Sequence, residues 1–195
     1  MTAINEILGY LIQTLLNLYL LAMLLRFLLQ LARADFYNPI CQFLVKVTNP
    51  PVIPLRRVIP GFGGLDMASL LLALLLQLAA IVALLLINGL GLPSVLLLLT
   101  WSALGIAALL VKIYFFALLA MIILSWIAPQ SRNPAVSLVS QITKPVMVPF
   151  RQVLPSMGGM DFSPILVFIL INVIQIALRH MAAAVSLHPA LVIGL

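Results

Sequence analysis

Four long runs of this sequence are almost free of charge, and each is long enough to cross a lipid bilayer. They cover residues 7–32, 67–87, 94–128 and 162 to about 185. A spanning helix needs about 20 apolar residues. The chain is 65% hydrophobic and 7% charged, against about 25% charged in soluble domains. It cannot cover its own surface with polar groups, so water is excluded as its main solvent and most soluble-enzyme classes with it. The first run has no basic start and is longer than the core of a secretory signal, which predicts a retained helix.

The third run is too long for a straight crossing. As one helix it would span about 50 Å against roughly 30 Å of hydrocarbon. Two helices would give five spans, but no Gly/Pro/Asn cluster interrupts it. Trp101 and Trp126 read as interfacial anchors about 38 Å apart. The expectation is therefore one crossing near 101–127, with 94–100 lying at the outer surface.

An offset of 95 aligns the chain with itself without gaps. Between 38 and 66, 11 of 29 positions are identical to their mates, including Asn38 and Asn133, Pro50 and Pro145, Arg56 and Arg151, and Asp66 and Asp161. Most of these residue types are scarce here, so apolar composition cannot produce the match. The chain reads as two copies of helix, structured loop, helix: 1–93 and 94–195. With two spans per copy, both copies point the same way across the membrane. The fold class expected is all-α integral membrane, with four transmembrane helices as two parallel helix–loop–helix repeats and short amphipathic interfacial helices.

Charge gives the orientation. Seven of the ten Lys and Arg residues lie in 33–66 and 130–162. Basic loops favour the cytoplasm, so both loops are expected there and both termini in the periplasm. Within the loops, Asn38 and Asn133 suit helix N-caps, each followed by a proline. Ile40, Phe43, Leu44 and Val47 form an apolar stripe at helical spacing, as do Ala135, Leu138, Val139 and Ile142. Such helices either lie in the headgroup layer or pack on the protein's own spans. Pro-rich segments at 49–54 and 144–149 read as fixed corners, each followed by a short helical turn carrying Arg56 or Arg151. Gly63-Gly64 and Gly158-Gly159 read as bends. Asp66 and Asp161 can cap the spans that follow.

The motif Asp35-Phe36-Tyr37-Asn38-Pro39, then Thr48-Asn49-Pro50, Pro54-Leu55-Arg56-Arg57-Val58-Ile59-Pro60 and Gly63-Gly64-Leu65-Asp66 resembles the YggT family of bacterial membrane proteins, which has plastid relatives. It recurs as Asn133-Pro134, Pro149-Phe150-Arg151, Pro155 and Gly158-Gly159-Met160-Asp161. The second copy departs at Gln152 and Gln130, which stand where Arg57 and Asp35 do. The resemblance implies a protein of the bacterial inner membrane without catalytic assignment. Bacterial relatives are associated with osmotic-stress tolerance, and plastid relatives with thylakoid biogenesis and nucleoid distribution.

Two sets of candidate site residues stand out. In the first, Arg56 could meet Asp161 and Arg151 meet Asp66, clasping the two loops together. The alternative gives them separate duties: arginines on lipid phosphate, aspartates as caps. The second set is centred on Lys112, about 16 Å along the helix from Trp101 and near the midplane. A charge there is a functional suspect. Its repeat-mate is Asn17, and Gln77, Asn172 and Gln175 lie at broadly similar depths. They form either a polar seam for an ion or solute, or interhelical hydrogen-bond glue.

No other chemistry gathers. Cys41 is the one cysteine, so an internal disulfide is impossible. His180 and His188 lack acids or cysteines at ligand spacing. Gly61-Phe62-Gly63-Gly64 lacks the lysine of a phosphate loop. No metal, cofactor or nucleic-acid partner is expected, nor catalysis. The function expected is a non-enzymatic inner-membrane module. Its paired basic loops would hold anionic lipid headgroups, a membrane-protein partner or a second copy. The alternative is a small channel or transporter around Lys112.

Overall fold

A computed structural model describes residues 3–128, 131, 133–153, 161–188, 191, 192 and 194. Six helices follow one another: α1 (Ala3–Leu31), α2 (Pro39–Val58), α3 (Met67–Ile87), α4 (Val95–Ile127), α5 (Pro134–Val153) and α6 (Ser163–Ala184). Strands are absent among the described residues. Helices α1, α3, α4 and α6 are each long and apolar enough to span a membrane. The chain is a multi-pass membrane protein.

The spans form antiparallel hairpins. α1 packs along α3 and α4 along α6, while α3 also packs on α4. Leu20, Met23, Leu24 and Phe27 of α1 interlock with Ala68, Ala73 and Ala80 of α3, and with Ile106, Leu109 and Ile113 of α4. Small residues on α3 let the backbones approach, as membrane helix pairs require. The end of each hairpin away from α2 and α5 is tied by a side chain. Asn5 Nδ2 donates to Ile87 O at 3.4 Å, and Trp101 Nε1 to Val185 O at 3.1 Å. α1, α3 and α6 each end in a left-handed residue, Arg33, Gly89 or Ser186. There its own amide and the next return to the last turn, as in Arg33 N to Gln30 O and Ala34 N to Leu29 O.

Several sequence expectations need correcting. The long third run is one helix starting at Val95, with Ser94 Oγ accepting from Leu97 N at 3.4 Å. Residues 95–100 are therefore the first turns of the same helix as 101–127. Trp101 is not a lipid-facing anchor. It is buried among Leu104, Leu178 and Ala182, whereas Trp126 is 84% exposed. The C-terminal residues return to this region, with Leu187 and Val192 joining the same core.

The proline-rich corners are helix interior. α2 runs unbroken through Pro50, Pro51 and Pro54, and α5 through Pro145 and Pro149. Proline's φ fits a helix; what it removes is an amide donor for the carbonyl four residues back. Pro50, Pro54, Pro145 and Pro149 lie on exposed faces, so the freed carbonyls also face outward, where polar surroundings can satisfy them. For Pro51 the freed carbonyl is Val47 O, and the Tyr19 hydroxyl donates to it at 3.4 Å.

The two apolar stripes divide. In α2, Leu44 is buried together with Cys41, Thr48 and Val52, while Ile40, Phe43 and Val47 are exposed. In α5, Leu138 and Ile142 are buried, Val139 is half-buried and Ala135 exposed. One face of each helix thus packs on the protein and another carries apolar residues outward. α2 and α5 meet across the repeat. Leu44 and Cys41 cluster with Leu138 and Ile142, and Asn38 Nδ2 donates to Pro134 O at 2.8 Å.

Candidate functional site

The first copy carries a buried charged network where α1, α2 and α3 converge. Asp66, just ahead of α3, is its centre. The Oδ1 of Asp66 accepts from Ser69 N at 3.2 Å, and Oδ2 accepts from Ser69 Oγ at 2.5 Å. This caps the helix at a site the dipole favours for an anion. Arg56, at the end of α2, donates through Nε to Asp66 Oδ1 at 3.2 Å and through Nη2 to Oδ2. Such a fork is the strong form of arginine–carboxylate pairing. The same Nη2 donates to Gln30 Oε1 at 3.0 Å.

Behind this pair lies Arg26, inside the first span and 3% exposed. Its Nη1 donates to Thr48 Oγ1 at 2.7 Å and to Asn49 Oδ1 at 2.9 Å, and its Nε lies 3.7 Å from Asp66 Oδ2. Thr48 Oγ1 in turn donates to Leu44 O at 2.6 Å. Two arginines thus share one carboxylate. Burial alone would raise the Asp66 carboxyl, but hydrogen bonds from Arg56 and Ser69 outweigh it and hold the group below the usual carboxylate range.

The loop sequence explains how ten residues bring Arg56 back to Asp66. Gly63 and Gly64 have φ of 60° and 85°, the left-handed values that a tight two-residue hairpin turn needs. Phe62 and Leu65 exchange backbone hydrogen bonds across it at 3.2 and 2.9 Å. The mates Pro155 and Gly158-Gly159 lie outside the described residues, as do Gln130 and Arg132.

In the second copy the corresponding pair is Arg151 Nε to Asp161 Oδ2 at 2.9 Å, with side chains 52% and 38% exposed. Ser163 N donates to Asp161 Oδ1 at 3.0 Å. Desolvation pushes the Asp161 carboxyl up, but Ser163 and then Arg151 outweigh it and lower it. The clasp between copies is therefore wrong: each arginine meets the aspartate of its own copy. In the first copy the turn at Gly63 and Gly64 brings Arg56 and Asp66 together within ten residues. What does join the copies is neutral. Besides Asn38 on Pro134, Asp35 N donates to Gln141 Oε1 at 2.9 Å. Asn38 Oδ1 accepts from Ile40 N, and Asn133 Oδ1 from Ala135 N, each at 2.9 Å.

Residue types alone did not single out Arg26, Gln30, Thr48, Asn49 or Ser69. A signal for Arg26 was present: it is the lone charge between residues 7 and 32, and Met121 is its mate. In the second copy Thr143 Oγ1 lies 3.2 Å from Met121 Sδ and donates to Val139 O at 2.8 Å. The sulfur stands where the first copy has a guanidinium.

The midplane polar residues are only partly brought together. Lys112, Gln175 and Arg179 line one cavity of about 180 Å³ between α4 and α6, with Gly194 at its edge. Lys112 and Asn17 line a second, largely apolar groove of about 450 Å³ beside Leu21, Phe116 and Ile142. Gln77 is buried against Gly105, where an added Cβ would come within 2.6 Å of its Nε2. Gly105 is two turns of α4 from Lys112, toward the start of the helix. Asn172 is exposed, and its Nδ2 donates to Phe168 O of its own helix at 2.8 Å. Among the described residues, Gln77 and Asn172 line neither cavity. No group of three His, Cys, Asp or Glu residues able to hold a metal occurs among the described residues. Cys41 is buried, and burial, with Asp35 nearby, raises its thiol.

Comparison with known proteins agrees with the internal duplication. The family model CCB3/YggT matches the chain twice, over residues 5–87 and 100–182. An uncharacterized protein of Pseudomonas aeruginosa is 48% identical over 190 residues, covering 97% of this chain and 96% of that protein. An uncharacterized protein of Vibrio alginolyticus, described as lying in a proC 3′ region, is 41% identical, covering 83% of this chain and 87% of its own length. The uncharacterized protein YggT of Escherichia coli K12 is 39% identical over 178 residues, 91% of this chain and 92% of its own. No solved structure matches the chain.

Proposed function

The chain belongs to the CCB3/YggT family, and from that premise we propose a non-enzymatic module of the bacterial inner membrane. Its inner-face platform, built from α2 and α5, holds anionic lipid headgroups or a partner protein and thereby supports tolerance of osmotic stress. In this reading both loops are cytoplasmic and both termini periplasmic. The excess of Lys and Arg in those loops supports that orientation.

One observation carries the reading. The two helices, joined at Asn38 and Pro134, expose apolar side chains next to cations. On α2, Phe43, Val47 and Val58 are exposed beside Lys46 and Arg57; on α5, Val148 and Val153 are exposed beside Lys144 and Arg151. Apolar groups flanked by cations suit the boundary between acyl chains and anionic headgroups. The channel alternative has weaker support, because Asn172 and Gln77 are not among the described residues that line the Lys112 cavity.

The test is lipid retention. Protein extracted from membranes of mixed composition is expected to keep anionic lipid in excess over the bulk. Lys46→Gln, Arg57→Gln and Lys144→Gln together should abolish that excess and lower growth at high osmolarity. An unchanged lipid profile would overturn the reading. Orientation is checked separately with Ser137→Cys in a Cys41→Ser background. Its thiol should react with an impermeant reagent only once the cytoplasmic side is opened.

A further inference from the structure

The spans of the two copies pack on each other in one direction only. They stand in the order α1, α3, α4, α6, with α3 of the first copy packed on α4 of the second. At the offset of 95, α1 is the mate of α4, and α3 is the mate of α6. A closed two-fold pair makes each contact twice, so α3 on α4 would be matched by α6 on α1. Among the described residues, α6 does not pack along α1. The junction is head-to-tail, and it leaves one half of itself unused at each end of the row.

The unused halves repeat the chemistry of the used ones. On α3, Leu70 and Leu74 line a groove with Ile106 and Leu110 of α4. Gln77 lies against Gly105, and Ile81 is buried with Leu98 and Trp101. The mates of these four α3 residues are Ile165, Ile169, Asn172 and Ile176. They form one stripe at helical spacing on α6, and all four are exposed. The contrast is plainest at the identical pair: Ile81 is 0% exposed and Ile176 49%. On α4, Ile106 and Ile113 are buried in the core shared with α1 and α3. Their mates on α1, Leu11 and Leu18, are exposed, as is Leu15, the mate of Leu110.

Lipid suits an apolar stripe, but Asn172 argues for a helix. It stands in the middle of α6, and its Nδ2 donates to Phe168 O of its own helix at 2.8 Å, which leaves the amide oxygen to a donor from elsewhere. Amides within spans serve as hydrogen-bond glue between helices, and the mate Gln77 sits at such a junction. Where Gln77 faces Gly105, the equivalent pair is Asn172 and the exposed Tyr10: a shorter amide opposite a larger side chain that carries a hydroxyl donor. We propose that α6 of one copy docks on α1 of a second copy of this chain, in the way that α3 docks on α4 within it. Both copies cross the membrane in the same sense. The contact uses no residue of α2 or α5, so it is independent of the platform those helices form.

The experiment crosslinks the full chain in its own membranes. Two forms with different tags are co-expressed in a Cys41→Ser background, one carrying Leu11→Cys and the other Ile169→Cys, and treated with a short, membrane-permeant bis-maleimide. The mates of these positions, Ile106 and Leu74, line one groove. Leu75→Cys, at an exposed position on another face of α3, sets the background of random collision. The mixed pair should give a two-tag product roughly tenfold above that background and above either same-site pair, because a head-to-tail contact brings unlike sites together. Same-site products as abundant as the mixed one overturn the proposal, since they mark a face-to-face pair. Background yield from every pair overturns it too, because lipid alone then covers both faces. A second mixed pair, Tyr10→Cys with Asn172→Cys, keeps the test decisive if a variant of the first accumulates poorly.

Discussion

The two arginine–aspartate junctions of this protein share one motif and solve the same problem differently. In the first, Arg26, Arg56, Thr48, Asn49 and Ser69 close around Asp66, which is 2% exposed. In the second, Arg151 and Asp161 keep their salt bridge in the open, and Met121 and Thr143 meet where the first copy has Arg26 and Thr48. The difference shows that duplication preserved the arginine–aspartate pair but not its environment. Environment decides energy: a buried charge stripped of its partner is costly, whereas a surface pair contributes little.

The comparison breaks most readily at Asp66. Asp66→Ala should destabilise the protein by about 3–5 kcal/mol, because Arg26 stays buried without a counter-charge. Denaturant unfolding in detergent micelles measures it, and a loss no larger than that of Asp161→Ala would erase the distinction between the junctions. Next comes Thr48→Val, which removes a hydrogen bond to a buried guanidinium and should cost about 1.5–3 kcal/mol. Its mate change Thr143→Val should cost clearly less, because only a sulfur and a local carbonyl lose their partner. Asp161→Ala should cost about 0–1 kcal/mol.

Acid titration sharpens the contrast. Both aspartates are held below their ordinary range in the folded protein. Each therefore contributes stability that is complete above the unfolded carboxyl value near 3.9 and is lost as pH falls through the lower folded value. Stability measured below about pH 4 should fall in the native protein, and that slope should shrink more in Asp66→Asn than in Asp161→Asn.

Much of this architecture is legible in the sequence. The spans follow from apolar run length, and the duplication from Asn, Pro, Gly and Asp matching at a fixed offset. The proline clusters mislead because proline is read as a helix breaker. On the exposed face of an interfacial helix its missing hydrogen bond costs little structure, and α2 and α5 simply continue. Partner choice for Asp66 and Asp161 is also not written in the residues. The repeat permits pairing within or between copies, and the turn at Gly63 and Gly64 decides for the first. Arg26 is hidden by the very uniformity of its span, where one charge reads as tolerated noise. Only its distance to Thr48 and Asn49, remote in sequence, shows that it is held on purpose.

The prolines inside α2 and α5 have a mechanical consequence. A helix resists bending because every turn is cross-braced by hydrogen bonds, and each proline leaves one brace out. α2 lacks three in succession, at Pro50, Pro51 and Pro54, and α5 lacks two, while α3 contains no proline at all. The molecule is thus braced in its upright members and pliant in its crossbeams, so strain entering at the α2 and α5 face is taken up by flexing there before the uprights shift.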